Sequence, residues 1–590
     1  MKRLFTILPF LAVLFLSPAS CNGPSGDGAR APRVEPRPAL SPLMRADKVR
    51  GFGGNVFYIL RPRAGKLPSV SSSDFGMDPS AADNTGAFLA AIGYCREHPG
   101  TRLVIEEGTY RFRQSSPIPI QGLDNVFIDG SKAEFITGVT GTFFRVDACN
   151  CLEINGLTVD WDRLSDPIDD VVRIQNADPE HGLLDLVFFE KEDVDPAMRF
   201  AAFTQCDPES LTFGAKGSSK ECYLIMFDNQ DGIKKCEKTA PNVLHIEHSG
   251  ILASFADGET YLLRHYIYDG NVFRLCGRSE NVTFESVKFY GSPGMAVVAD
   301  DACSHFQILN CTVGVDPALR DRHHVSLGAD AFHIMNTRGC YRLAGNDVSR
   351  QGDDALNIHD GLAYVHAVEG NVLQVFSGMQ LTAGDTVRFK DAGYFDTPYE
   401  AVITGFDRSV RPVRIMLDRD VSACVESGFT AWNTAVNSGN YVVENNYFHE
   451  NRARGLLLQS SEGLCRRNRF YKIQGMAIRV VMDIYPRYWQ EGTGVDGLLI
   501  RDNVMDRCDY GAWGCQIEIS TNIDGKNAEA PVFRNIEISR NTFKGFRSPL
   551  LRASNVDSLR LTGNRIDCED DGPLFVWGAH CTHVTSPETE

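Results

Sequence analysis

Asn446-Tyr447-Phe448 is followed 22 residues later by Asn468-Arg469-Phe470, and Asn541-Thr542-Phe543 is followed 23 residues later by Asn564-Arg565-Ile566. Asn281-Val282-Thr283-Phe284 and His305-Phe306-Gln307-Ile308 stand 24 residues apart in the same manner. Each unit carries short alternating strands, such as residues 498–500 and 536–538. Alternation buries one face of a strand and leaves the other wet. A unit this short cannot bury a core of its own, but a stack of units can. The Leu-x-x-Leu-x-Leu pattern of leucine-rich repeats is missing. The chain therefore reads as all-β, a right-handed parallel β-helix. The recurrent Asn fits a ladder of stacked amides at one turn, each satisfying the next.

Helical periodicity is confined to residues 83–96. Asp83-Asn84-Thr85 offers an N-cap, and Phe88, Leu89, Ile92 and Cys95 recur at helical spacing. With Asp74-Phe75-Gly76 before it and Leu103-Val104-Ile105 and Gly108-Thr109-Tyr110 after it, this segment resembles the opening of pectin-lyase-like β-helices. There an N-terminal helix caps the first coil and protects the exposed sheet edges. Residues 163–275 and 361–435 lose the period but keep strand-like patches. Both read as small β-rich insertions growing from loops, where solenoids often build their binding sites.

Lys2 and Arg3 precede an apolar run at 4–16, the n-region and h-region of an export signal. Pro18-Ala19-Ser20-Cys21 resembles a lipobox, with Cys21 as the lipidated residue. Residues 1–21 thus read as a lipoprotein-type signal peptide and 22–68 as a tether, Gly-, Pro- and Ser-rich to about Ala46. Residues 69–590 form the catalytic β-helix. The expected location is the bacterial envelope, with membrane contact only through a lipid anchor. No second long apolar run follows, which argues against a multi-pass membrane protein. Of 590 residues, 43% are hydrophobic, enough for a folded chain, and the net charge of −17 argues against nucleic acid as a partner. The remaining Cys are scattered singly and read as small buried hydrophobes. A Cys568–Cys581 disulfide is left open.

The chemistry gathers in Gly328-Ala329-Asp330-Ala331-Phe332-His333 and Gly352-Asp353-Asp354-Ala355-Leu356-Asn357-Ile358-His359. Asp330 precedes Asp353 and Asp354 by one coil, which puts the acids on adjacent rungs about 4.8 Å apart along the axis. Clustered carboxylates suit glycoside hydrolysis: one must be protonated to donate to the leaving oxygen, another ionised to activate water. Crowding like charges raises one pKa and supplies the donor. Two other readings exist for such acids, turn residues that bond the backbone and a calcium site of Asp oxygens.

These motifs resemble those of glycoside hydrolase family 110, the exo-acting bacterial α-1,3-galactosidases. Leu263-Arg264-His265 and Gly294-Met295-Ala296-Val297-Val298 resemble its preceding coils. Arg452-Ala453-Arg454-Gly455-Leu456-Leu457 and Trp489-Gln490-Glu491-Gly492 resemble its following ones. The ordered blocks cover about residues 70–545. The resemblance implies an inverting enzyme without cofactor or metal. Its partner would be an oligosaccharide or glycoconjugate ending in α-1,3-linked galactose, blood-group B-type or linear. It implies Asp330 as general acid, with Asp353 and Asp354 positioning and deprotonating the water; which of the two is the base stays open. His333, Asn357, His359, Arg454, Trp489 and Glu491 are candidates for sugar binding. Two departures are Asp360, where a Gly is expected, and Leu327-Gly328, where a small polar residue is expected before Ala329.

Three alternatives differ in chemistry. A family 28 polygalacturonase-like hydrolase also sets an Asp one coil before Asp-Asp, but its Gly-His-Gly and Arg-Ile-Lys motifs are missing. A calcium-dependent polysaccharide lyase needs a Lys or Arg base, and no Lys lies between Lys288 and Lys390. A non-catalytic glycan-binding surface lipoprotein would bind sugar without turnover.

Overall fold

The computed structural model describes residues 31–226 and 232–586. The export signal and Cys21 lie outside the described residues. Three sheets of 13, 11 and 12 strands run along the chain, each recruiting one short parallel strand per turn, and the third adds Trp489–Glu491 antiparallel to Ile478–Tyr485. This is a parallel β-helix. Register is kept by in-column stacking of like residues: Ile500 pairs with Ile538, and Ile538 with Leu561. A slip by one residue would turn each of these side chains out to water. Aromatic columns do the same, with Phe306 stacked on Tyr341 at 4.8 Å and Tyr341 on Tyr441 at 5.8 Å.

The asparagine ladder runs through Asn346, Asn446, Asn468, Asn503, Asn541 and Asn564. At each step the main-chain N–H and the Nδ2 donate to Oδ1 of the next Asn, at 2.8–3.1 Å. The same Nδ2 also donates to a main-chain carbonyl, such as that of Val443 for Asn468. Asn281 lies outside this ladder; its Oδ1 accepts from the Leu60 N–H instead.

The helix Thr85–Glu97 buries Phe88, Ile92 and Cys95 over the first coil, while Leu89 is exposed. Asn84 precedes it but does not cap it with its side chain. Asp83 does that work, accepting from the Thr85 N–H at 3.0 Å and hydroxyl at 2.6 Å.

Much of the stretch expected to be a tether is structured. Met44–Arg50 and Val56–Pro62 form an antiparallel hairpin. Phe57 and Ile59 are buried with Val442 and Leu464 of the β-helix. Arg61 binds Glu153 through Nε at 2.9 Å. The apolar run Val56-Phe57-Tyr58-Ile59-Leu60 and this buried pair explain why the segment docks.

The first insertion is a seven-stranded antiparallel sheet. It ends sooner than the sequence suggested, because Gly270–Cys276 rejoins the coil parallel to Gly141–Asp147. The second is a closed six-stranded barrel from Ala363–Glu369 to Thr430–Asn433. All 16 described Cys are free thiols, Cys568 and Cys581 included. Among the described residues, no helix is long and apolar enough to cross a membrane.

Candidate active site

Phe332–Met335, Leu356–His359, Leu456–Leu458 and Ile478–Tyr485 are successive strands of one sheet. Alternation sends Phe332, Ile334, Leu356, Ile358, Leu456 and Leu458 into the core. The residues between them face outward in register, His333 beside Asn357, then Leu457, then Arg479. The turn just before each strand carries the charge. Ala331 N–H donates to Asp354 O at 3.0 Å and Ala355 N–H to Arg454 O at 3.1 Å, which aligns Asp330, Asp354 and Arg454 as one column.

Side chains reinforce that column. Asp354 N–H donates to Asp330 Oδ1 at 3.1 Å, and Arg454 N–H donates to Asp354 Oδ1 at 2.9 Å. Arg454 Nη2 donates to Asp354 Oδ2 at 2.8 Å, and His333 Nδ1 meets Asp330 Oδ2 at 2.7 Å. Asp353 sits beside the column with different partners: Arg452 Nη1 at 2.6 Å and the Tyr268 hydroxyl. At least one oxygen from each of the three acids lies within 4.8 Å of the others.

The first insertion sets this geometry. Its Arg264 donates to Gly328 O at 3.0 Å and Gly352 O at 2.6 Å, gripping both acidic turns from outside. A Cβ at residue 352 would stand 2.3 Å from that guanidinium, so only glycine fits. The departure at Gly328 has the same setting, because its carbonyl is the other anchor. Glu221 takes Arg452 in a two-pronged contact at 3.2 and 2.8 Å and fixes it against Asp353. A buried ion pair stays favourable only when its remaining hydrogen bonds are met in this way.

The acids differ electrostatically. Burial pushes the Asp354 carboxyl well above the usual range, and Asp353 and Asp330 add to it, against Arg454. Burial and Asp353 likewise raise Asp330, against His333. Asp353 goes the other way: burial raises it, but Arg452, Arg454 and the Tyr268 hydroxyl together outweigh that and hold it below the usual range. Such a cluster titrates as a set, with the ionised form resting on Asp353 and the retained proton on the Asp330–Asp354 column.

A polar wall continues from Asp330. His333 and His359 face each other through their Nε2 atoms at 2.9 Å, and His359 stands 3.8 Å from Glu491. Burial, together with the His333 charge, pushes His359 down to about 4. Burial opposes the charged form of His333 too, but Asp330 raises it. The proton between the two rings therefore belongs to His333. Gln459 bridges Asn357 at 3.3 Å and Glu491 at 3.0 Å.

These groups line a pocket of about 400 Å3. Asp330, His333, Asp353, Asp354, Asn357, Arg454, Trp489 and Glu491 all contribute to its surface. His359 does not; it is buried behind His333 and acts on the pocket through it. Tyr223, Met226 and Tyr268 form one side. The opposite side is the hairpin of Ile478–Tyr485 with Trp489–Glu491, which sets Glu491 across from Asp483 and Trp489 across from Tyr485. Tyr268, Arg452, Glu221, Gln459 and Arg479 were not singled out from the sequence. Arg452 had a signal, since it precedes Arg454 in the next coil after the acids; Tyr268 and Glu221 lie in or beside an insertion without a period. Asp360 faces away, accepting from Ser438 N–H at 3.0 Å and hydroxyl at 2.7 Å where the chain returns from the barrel.

No protein-family model matches the chain. It is 23% identical over 549 residues to the α-1,3-galactosidase A of Shewanella woodyi, covering 84% of this chain and 85% of that one. It is 23% identical to the α-1,3-galactosidase B of Bacteroides thetaiotaomicron, covering 84% and 86%. Among solved structures, the endo-xylogalacturonan hydrolase of Aspergillus tubingensis aligns with a TM-score of 0.42 at 10% identity, covering 88% and 96%. The relatives named α-1,3-galactosidase span most of the chain and bear out the resemblance to glycoside hydrolase family 110 that its motifs carry.

Proposed function

We propose that this protein is an exo-acting α-galactosidase that hydrolyses terminal α-1,3-linked galactose from glycans, with inversion at the anomeric carbon. The observation that supports it most is the split among three acids at the pocket floor, one held ionised and two held up in pKa. The Asp330–Asp354 column supplies the proton to the glycosidic oxygen as the C1–O bond breaks. Asp353 accepts the proton of the water whose oxygen bonds to C1. The pocket is near the lower end of the range of about 300–1,000 Å3 usual for small-ligand sites, which suits one terminal sugar. His333, Asn357, Arg454 and Glu491 offer donors and acceptors for its hydroxyls, and Trp489 offers a ring face for its C–H side.

Inversion is inferred from the motif resemblance. Donor and base in inverting glycosidases usually stand about 6.5–9.5 Å apart, and in retaining ones about 5–5.5 Å. The tightness of the trio favours retention as the second reading, with a carboxylate attacking C1. Proton NMR of early turnover decides between them, using a linear α-1,3-galactosyl disaccharide and a fucosylated B-type trisaccharide. Early β-galactose supports inversion, and early α-galactose supports retention. Release from neither substrate would overturn the α-1,3-galactosidase assignment.

A further inference from the structure

Away from the pocket, the strand of chain before the N-terminal hairpin meets two side chains from neighbouring turns of the β-helix. Glu35 N–H donates to Val56 O at 2.9 Å, and Tyr58 N–H donates to Glu35 Oε2 at 3.2 Å. One carboxylate oxygen is thus fixed by the hairpin. The other, Oε1, faces His305 Nε2 at 3.0 Å and Cys340 Sγ at 3.8 Å. One ligand-type atom from each of the three residues lies within 4.8 Å of the others, and all three residues are half-buried.

The other ring nitrogen of His305 has its own polar partner. Nδ1 lies 3.1 Å from the Ser304 hydroxyl, which also lies 3.3 Å from Glu280; with Nδ1 donating to that hydroxyl, the Nε2 lone pair is open to a cation. Cys340 brings a soft donor atom to the same point. Asn440 Nδ2 donates to its sulphur at 3.2 Å, and Ser304 orients the histidine, both as outer partners of a metal's ligands do. Tetrahedral zinc bonds of about 2.0–2.3 Å imply ligand–ligand edges of about 3.4 Å for N and O and about 3.6 Å for S and O. The two contacts to Glu35 Oε1, 3.0 and 3.8 Å, lie to either side of those values. Arg33, a cation on the same strand of chain, is engaged by Glu462 at 2.9 Å.

We propose that Glu35, His305 and Cys340 form a binding site for a divalent transition metal of the zinc type, which clips the N-terminal strand to the β-helix. Each ion bound displaces the Cys340 thiol proton to solvent, leaving a thiolate, a neutral imidazole and a carboxylate as ligands and a fourth position for water. The acid trio of the pocket offers oxygen only, and each of its members already has a cationic or hydrogen-bonding partner.

The test uses the whole protein, stripped with chelator and titrated with cobalt(II), then zinc(II). The expected result is one equivalent of cobalt bound with release of one proton and a thiolate-to-metal charge-transfer band, and loss of that band when zinc replaces cobalt, with no further proton released. The band is absent in Cys340→Ser and His305→Gln, and zinc raises the melting temperature of the parent chain but not of either variant. No stoichiometric band in the parent, or a band that persists in Cys340→Ser, would overturn the proposal. Should that variant fail to fold, Glu35→Gln serves instead, with weakened zinc affinity expected and unchanged affinity counting against the site.

Discussion

The main-chain N–H of Asp354 donates to the carboxylate of Asp330 one turn away, at 3.1 Å. The two acids thus occupy equivalent positions of successive coils, and Asp353 stands outside their column beside Arg452. This offset resolves the difficulty that neighbouring residues on a regular strand point to opposite sides: the acids sit at the turn before the strand, where both can reach one pocket. Under the proposed reading, it separates the proton donor from the base. Removing either partner should cost about 10²–10⁴-fold in kcat, but the losses should differ in kind. Asp353→Asn should be rescued by azide, with β-galactosyl azide as product under inversion. Asp330→Asn or Asp354→Asn should recover much of its rate on an aryl galactoside with a good leaving group. If Asp353→Asn is the variant rescued by the leaving group, the donor and base are interchanged.

Arg452 is the main charge that holds Asp353 ionised against burial. Arg452→Met should raise the pKa of Asp353. Since a base works only when deprotonated, the acidic limb of the kcat/KM profile should move to higher pH. Arg452→Lys should shift it less, keeping the charge but losing the fork that also grips Glu221. An unchanged acidic limb in Arg452→Met would remove Asp353 from the base's role.

The asparagine ladder makes a graded stability prediction. Asn468 is buried and bonded on both sides, to Asn446 and Asn503. Asn564 ends the run of amides and is only half-buried. Asn468→Ala leaves buried groups unpaired on both neighbours and should cost about 2–4 kcal/mol. Asn564→Ala should cost about half as much. Equal losses in urea unfolding would mean that the ladder does not act through its internal bonds.

The β-helix was legible because its energetics are written at a fixed period: stacked Asn, stacked apolar columns and a strand alternation repeated per turn. Asp330, Asp353, Asp354, His333 and Asn357 were legible for the same reason, since a coil spacing becomes an adjacency in space. What the period cannot carry is contact from the insertions. Tyr268 reaches Asp353, Glu221 reaches Arg452 and Arg264 reaches the two acidic turns because antiparallel pairing folds the first insertion back onto the β-helix. His359 misled for a geometric reason, because its side chain packs behind His333 rather than opening on the pocket. The hairpin at 44–62 was obscured by the Gly- and Pro-rich chain before it, although the apolar run from Val56 to Leu60 marks a strand.

Asp360 gives a pH-dependence that is independent of catalysis. It is buried, and burial raises its carboxyl to about 6, against the hydrogen bonds from Ser438. Above the unfolded value of 3.8 the unfolded chain ionises this group while the folded one keeps its proton, up to about 6. The folded state then binds more protons, so stability falls as pH rises through this window and levels off above it. A shift of this size corresponds to about 3 kcal/mol, as an upper bound. Asp360→Asn cannot ionise. Its unfolding free energy relative to the parent should therefore climb by up to about 3 kcal/mol between pH 4 and pH 7, whatever the fixed cost of the amide in that site. Denaturant unfolding at several pH values measures the difference directly. A difference that stays constant across the window would mean that Asp360 is ionised in the folded protein throughout, with Ser438 compensating its charge.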